Sequence, residues 1–140
     1  MATDAAKQTS VLARRQIVLV QHEGISTRDA ERSLDFYTRV LGLELLPRPN
    51  LPSPGYWLGS PGGLPQLHII QSASPVPGPD APIDPRARHT CFEVADYEAL
   101  KAALEREGVA YRENLRSAVG RAQLFCNDPD GHTLEFQQAP

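Results

Sequence analysis

The stretch "VQHEGISTRD" at residues 20–29 decides how this chain folds, because "RHTCFEVAD" at residues 88–96 repeats its design. His22 precedes Asp29 by seven residues, and His89 precedes Asp96 by seven. Each histidine lies in a β-branched, extended run. Each aspartate stands where a helix begins, and its carboxylate can accept from the free amides of the first turn. The two histidines are 67 residues apart in a chain of 140. That offset predicts an internal duplication.

Working outward, "QIVLVQHEGIST" predicts a strand over 16–27. "DAERSLDFYTRVLG" predicts a helix capped by Asp29, with Leu34, Tyr37 and Leu41 as one apolar stripe and Gly42 as its stop. "LELLPR", "YWLG" and "QLHIIQ" follow as short strands between proline and glycine turns. The order then recurs. "RHTCFEV" is a strand, and "DYEALKAALEREG" is a helix with Asp96 as cap, Tyr97, Leu100 and Leu104 as stripe and Gly108 as stop. "VAYREN", "AQLFCN" and "TLEFQQ" close the chain as strands, the last two joined by the tight turn "DPDG". Each half reads βαβββ. The predicted class is α+β, with paired βαβββ modules forming a curved mixed sheet around a cleft.

Eleven of the 13 prolines fall between Pro47 and Pro85, which marks "SASPVPGPDAPIDP" as a connector rather than an element. The expected boundaries are a frayed tail over 1–15, a first module over 16–71, a Pro-rich connector over 72–87 and a second module over 88–138. The net charge of −3 and the lack of a Lys/Arg cluster beyond Arg14-Arg15 argue against nucleic acid as a partner. The longest apolar run, "IVLV" at 17–20, is far too short to span a bilayer. The N-terminal stretch lacks the apolar centre of a secretion signal, and two cysteines do not make a disulfide framework, so a cytoplasmic, reduced protein is expected.

A second equality of spacing concerns chemistry. His22 to His68 is 46 residues, and His89 to Glu135 is 46 residues. Potential metal-binding side chains therefore stand at matching places on the first and last strand of each half, two from each copy. Strand alternation places His68 with Gln66 and Ile70, His89 with Cys91 and Glu93, and Glu135 with Thr133 and Gln137. The opposite, apolar faces must meet the helices. The polar faces are left to line a cavity, where ionisable groups are costly unless paired or metal-bound. A lone strand histidine is more often a hydrogen-bonded core or surface residue. Four donors at two equal spacings favour a metal site.

At these residues the chain resembles the vicinal oxygen chelate superfamily, which includes glyoxalase I, methylmalonyl-CoA epimerase, extradiol dioxygenases, and fosfomycin and bleomycin resistance proteins. The resemblance runs from about Gln16 to Gln138 and rests on "RDAERSLDFYTRVLGLEL", "QLHIIQ", "RHTCFEV" and "NDPDGHTLEFQ". It implies a divalent metal ion held by His22, His68, His89 and Glu135. Three imidazoles and a carboxylate suit zinc, nickel, cobalt, iron or manganese alike. It implies a small-molecule substrate chelated through two adjacent oxygens, with an enolate stabilised by the metal and Glu135 moving the proton as catalytic residue. His68 departs from glyoxalase I, which usually carries a glutamate there, and from the epimerase, which tends to carry a glutamine. His132 in the "DPDGH" turn is left out of the ligand set. A homodimer is also implied. Some members build the metal site from two chains, and composition does not say whether His22 and His68 serve the same subunit as His89 and Glu135.

Gln66, Cys91, Glu93, Arg121 and Gln137 are the candidate substrate contacts. Each also reads as an ordinary residue: Cys91 as a small packing side chain, the others as solvated positions. Trp57 and Tyr56 read as core or pocket wall. The expected function is a metal-dependent, glyoxalase-like lyase or isomerase acting on a 2-oxo or 2-hydroxycarbonyl compound. Three alternatives stay open: an extradiol-type dioxygenase or thiol transferase using His22, His89 and Glu135, a metal-free drug-sequestering protein of the bleomycin-resistance kind, and an inactive remnant.

Overall fold

The computed structural model describes residues 16–140. The expected tail over 1–15 lies outside the described residues. Eight strands and two helices run β1 (Glu23–Thr27), α1 (Ala30–Asp35), β2 (Glu44–Leu46), β3 (Gly55–Gly59), β4 (Leu67–Gln71), β5 (His89–Val94), α2 (Tyr97–Arg106), β6 (Tyr111–Asn114), β7 (Gln123–Asn127) and β8 (Thr133–Gln138). They form two four-stranded sheets of identical topology, ordered β1-β4-β3-β2 and β5-β8-β7-β6. In each, the first strand pairs parallel with the last, and the remaining pairings are antiparallel. The duplicated βαβββ order predicted from the sequence is the architecture.

The helix ends form for the reasons the sequence suggested. The Asp29 carboxylate accepts from the Arg32 amide at 3.1 Å and the Asp96 carboxylate from the Ala99 amide at 3.0 Å. Gly42 and Gly108 carry φ of 81° and 66°, where a side chain would be strained. The α2 stripe of Tyr97, Leu100 and Leu104 is buried as expected. The first helix differs. After Asp35 it widens into a π-helical turn over Phe36–Val40, in which the Leu41 amide donates to the Phe36 carbonyl. Ala30, Ser33, Phe36 and Tyr37 form the buried face, Leu34 stands beside it and is only partly covered, and the widened turn carries Leu41 off the regular stripe.

The first strand is also shorter than predicted. Residues 16–22 have no regular structure, and Ile17, Val18, Leu19 and Val20 are all exposed. The pairing explains this. Glu23 stands opposite Leu67, the first residue of β4. Upstream of Leu67 runs the "SPGGLPQ" loop, which offers no strand for residues 16–22 to pair with.

One hydrophobic core unites both modules. It joins Ile25, Leu58, Leu67 and Ile69 of the first sheet and Phe36 and Tyr37 beside it to Leu124, Leu134 and Phe136 of the second sheet and Leu104 of α2. Burial of this apolar surface drives the association. Polar groups then fix the register of the two halves. The "DPDG" turn projects from the second module onto the start of α1. Buried Asp130 accepts from Thr27 Oγ1 at 2.5 Å, Ser33 Oγ at 3.2 Å, the Arg28 amide at 3.1 Å and Arg32 Nη2 at 3.2 Å. Burial works to raise its pKa, but these donors outweigh it and hold the carboxyl below its ordinary value. Its neighbour Asp128 accepts from the Tyr37 hydroxyl at 2.7 Å, and burial pushes its pKa up. His132 Nε2 donates to the Ser26 carbonyl of β1 at 2.7 Å. The proline connector closes over the same turn, where the Gly78 amide donates to the Asp130 carbonyl at 2.7 Å.

Candidate functional site

Alternation of the strands separates two faces on each sheet. On the second sheet, Thr90, Leu134, Phe136 and Leu124 turn toward the core, and the register sets His89, Cys91, Glu135, Gln137, Gln123 and Phe125 on the other face. Gln123 stands opposite Gln137, and Phe125 opposite Glu135. A cavity of about 280 Å³ opens on this face, lined by His89, Glu135, Gln123, Phe125, Asn114 and Arg112 among others.

At its floor, Glu135 is buried and fully engaged. Gln123 Nε2 donates to its Oε1 at 2.6 Å and Gln137 Nε2 to the same oxygen at 2.9 Å, while His89 Nε2 lies 3.0 Å from Oε2. Burial works to raise its pKa, and the Gln137 and Gln123 amides work against that, leaving the carboxyl below its ordinary value. His89 Nδ1 lies 2.8 Å from the Ala87 carbonyl. A carbonyl can only accept, so Nδ1 carries the proton. In the neutral ring, Nε2 then turns a lone pair toward a carboxylate, and only a further proton or a cation makes that contact attractive.

The first sheet carries the other pair. His68 of β4 sits opposite Trp57 of β3. The rings of Trp57 and His68 stack at 4.4 Å with 13° between planes, and His22 stacks on the far face of His68 at 3.8 Å and 14°. His68 Nε2 donates to the Pro65 carbonyl at 3.0 Å. His22 Nδ1 donates to the Gln21 side-chain oxygen. Burial, with the neighbouring His22 and Arg48, lowers the His68 pKa, which favours the neutral ring.

The predicted set thus appears as two pairs, one per module. Among the described residues, no three His, Cys, Asp or Glu side chains gather closely enough to hold one ion. The four are expected to share one ion, with the choice between one chain and two left open, and within this chain they do not gather. The two sheets are not continuous: His89 and Glu135 stand on the second, His68 stands on the first, and His22 lies just ahead of β1. The donor chemistry nonetheless fits a divalent ion. Each of the three imidazoles has one nitrogen committed to an oxygen acceptor and the other left as a lone pair, which is how ligating histidines are oriented.

The candidate substrate residues fall into two places. Gln66, Cys91 and Glu93 line a second cavity of about 400 Å³ with Leu43, Leu58, Leu67 and Phe92. Gln137 instead holds Glu135, and Arg121 Nη1 reaches Glu93 at 3.5 Å. Partial desolvation and the adjacent Glu135 push the Cys91 thiol up to about 11. Sequence reasoning missed Gln123, Phe125, Arg112 and Asn114. The alternation in "AQLFCN" places Gln123 and Phe125 on one face, but only the strand register assigns that face to Glu135.

Residues 19–136 match the family described as Glyoxalase/Bleomycin resistance protein/Dioxygenase superfamily. The chain is 29% identical over 121 residues to the protein named Glyoxylase I 4 of Arabidopsis thaliana, covering 84% of this chain and 68% of that one. It is 29% identical over 159 residues to the lactoylglutathione lyase of Pseudomonas aeruginosa, covering 89% and 84%. Among solved structures, a glyoxalase family protein from Enterococcus faecalis superposes with a TM-score of 0.64 at 28% identity, over 84% of this chain and 95% of that one. Among the described residues, no helix is long and apolar enough to cross a membrane.

Proposed function

Because the chain belongs to the Glyoxalase/Bleomycin resistance protein/Dioxygenase superfamily, we propose that it is a divalent-metal-dependent lyase or isomerase of the glyoxalase type. Its substrate is a small molecule with adjacent oxygens, a 2-oxo or 2-hydroxycarbonyl compound. The relatives named lactoylglutathione lyase support this chemistry. The ion would be held by His22, His68, His89 and Glu135. Since the two pairs do not meet within one chain, the site is completed between two copies: His22 and His68 of one, His89 and Glu135 of the other.

The ion, when bound, supplies Lewis acidity that polarises the substrate carbonyl. The rest falls to the chain's own side chains. Glu135 is the carboxylate placed to take the proton from the carbon beside that carbonyl, since a histidine stands at residue 68 and no second carboxylate is paired with it. Gln123 and Gln137 hold Oε1 of Glu135, and Oε2 lies against His89 Nε2 at 3.0 Å. His89 is kept in one ring orientation by the Ala87 carbonyl. Phe125 and Pro85 wall the cavity.

The observation that carries this proposal is the correspondence of the two pairs: His89 and Glu135 lie on the parallel first and last strands of their module, and His68 lies on the last strand of the other with His22 one residue ahead of its first. Metal content and sedimentation of the purified protein test it. Alanine at His22, His68, His89 or Glu135 is expected to deplete the metal. A double variant lacking His22 and His68, mixed and refolded with one lacking His89 and Glu135, is expected to recover one of the two sites in each hybrid dimer. Unchanged metal content across all four single variants would end the proposal. Recovery failing in confirmed hybrids would place the site within one chain.

A further inference from the structure

We propose that Trp57 is a positioning residue for His68, fixing the imidazole that the metal reading assigns as a ligand. This inference rests on that reading. His68 is the middle ring of a three-ring column, with Trp57 on one face and His22 on the other. Its Nε2 proton is committed to the Pro65 carbonyl, so Nδ1 holds the lone pair. On the β1 side its partner in register is Gly24, which offers no side chain to hold the ring. Rotation of the imidazole out of its plane would therefore be resisted by the stacked rings and the Pro65 bond.

The two flanking rings are not equivalent. Imidazoles stacked 3.8 Å apart hold their in-plane lone pairs in nearly parallel planes, which do not meet at one ion. Ligation of one ion by both histidines at ~2.0–2.1 Å therefore requires one ring to leave the stack. His22 is exposed and precedes β1, whereas Trp57 and His68 are paired within the sheet. His22 is the ring that turns, and Trp57 is the face that stays. An orienting neighbour of this kind is worth about 10–100-fold in metal affinity.

Cobalt(II) titration tests this with two readouts that do not depend on turnover. Trp57 is the sole tryptophan of the chain, so its emission reports on His68. The wild type should bind cobalt, measured by competition with a chelating dye, and lose Trp57 emission with the same midpoint. Trp57→Leu should bind at least about tenfold more weakly, with an altered cobalt absorption band. Trp57→Phe, which keeps an aromatic face, should stay near wild type. Circular dichroism checks that both variants are folded. Equal affinity and spectrum in folded Trp57→Leu would overturn the inference while leaving the metal proposal standing, and so would cobalt binding that leaves Trp57 emission unchanged. If Trp57→Leu does not fold, the emission readout on the wild type decides alone. No cobalt binding by the wild type would remove both.

Discussion

His89 Nε2 lies 3.0 Å from Glu135 Oε2 although 46 residues separate them, because β5 and β8 run parallel and adjacent. Two amide donors crowd the other carboxylate oxygen. The carboxylate is thus oriented before anything binds, and the energy of ordering it has been met in folding.

Removing the charge of Glu135 should separate binding from folding. Glu135→Gln keeps the shape of the side chain and an oxygen for the Gln123 and Gln137 amides. Metal affinity is expected to fall by more than about tenfold, while the melting temperature stays within a few degrees. Metal analysis after dialysis, beside a thermal melt, checks this. Retained stoichiometry would remove Glu135 from the ligand set.

The Asp130 clasp predicts a pH-dependent stability. Asp130→Ala removes the carboxylate that Thr27 Oγ1, Ser33 Oγ, the Arg28 amide and Arg32 share and should cost about 3 kcal/mol in urea unfolding. The sign follows from the lowered pKa. Stability from this carboxylate is present above its ordinary value of 3.8 and is lost as pH falls through the lower folded value. The gap between wild type and Asp130→Asn should therefore shrink below pH 3.8. Asp128 is shifted the opposite way, but it is common to both proteins and largely cancels in the difference. A gap that stays constant with pH would contradict the clasp.

Gly131 is predicted to tolerate no side chain. Its φ is 89°, and a Cβ there would stand 2.0 Å from the Gly78 carbonyl of the connector. Gly131→Ala should destabilise by about 2 kcal/mol or more from backbone strain alone, with extra loss as the connector is pushed from the turn. Limited proteolysis within residues 72–87 should accelerate in the variant. An unchanged cleavage rate would mean that the connector is held by other contacts.

Leu104 is fully buried between α2 and the core. Leu104→Ala should cost about 2–5 kcal/mol. Leu34, predicted as stripe but only partly covered, should cost less on the same change. Equal losses at both sites, read from chemical denaturation, would contradict the placement of Leu34 at the margin of the buried face.

Several features were legible in the residues themselves because they are local. The two caps, the glycine stops, the α2 stripe and the strand alternation depend on groups within one turn or one strand of each other. The repeat of seven and of 46 residues revealed the duplication, since equal spacings in chain become equal places in a repeated fold. Other features were not legible for a physical reason. The π-helical turn at Phe36–Val40 follows no spacing of apolar residues that a regular helix would show. Residues 16–22 carry strand-like side chains, but a strand exists only where a neighbour accepts its hydrogen bonds, and no residue of β4 extends that far.

The sequence by itself determined which residues repeat, and so which side chains occupy corresponding places in the two modules. Tertiary structure alone decided which of them touch. It committed Asp130 to the module joint, set Gln123 against Glu135, and stacked Trp57 on His68. It also kept the two histidine-bearing pairs apart within the chain. Such contacts depend on how separately folded sheets register across a shared core, and that register is set by packing and by buried or half-buried hydrogen bonds between residues up to 106 positions apart.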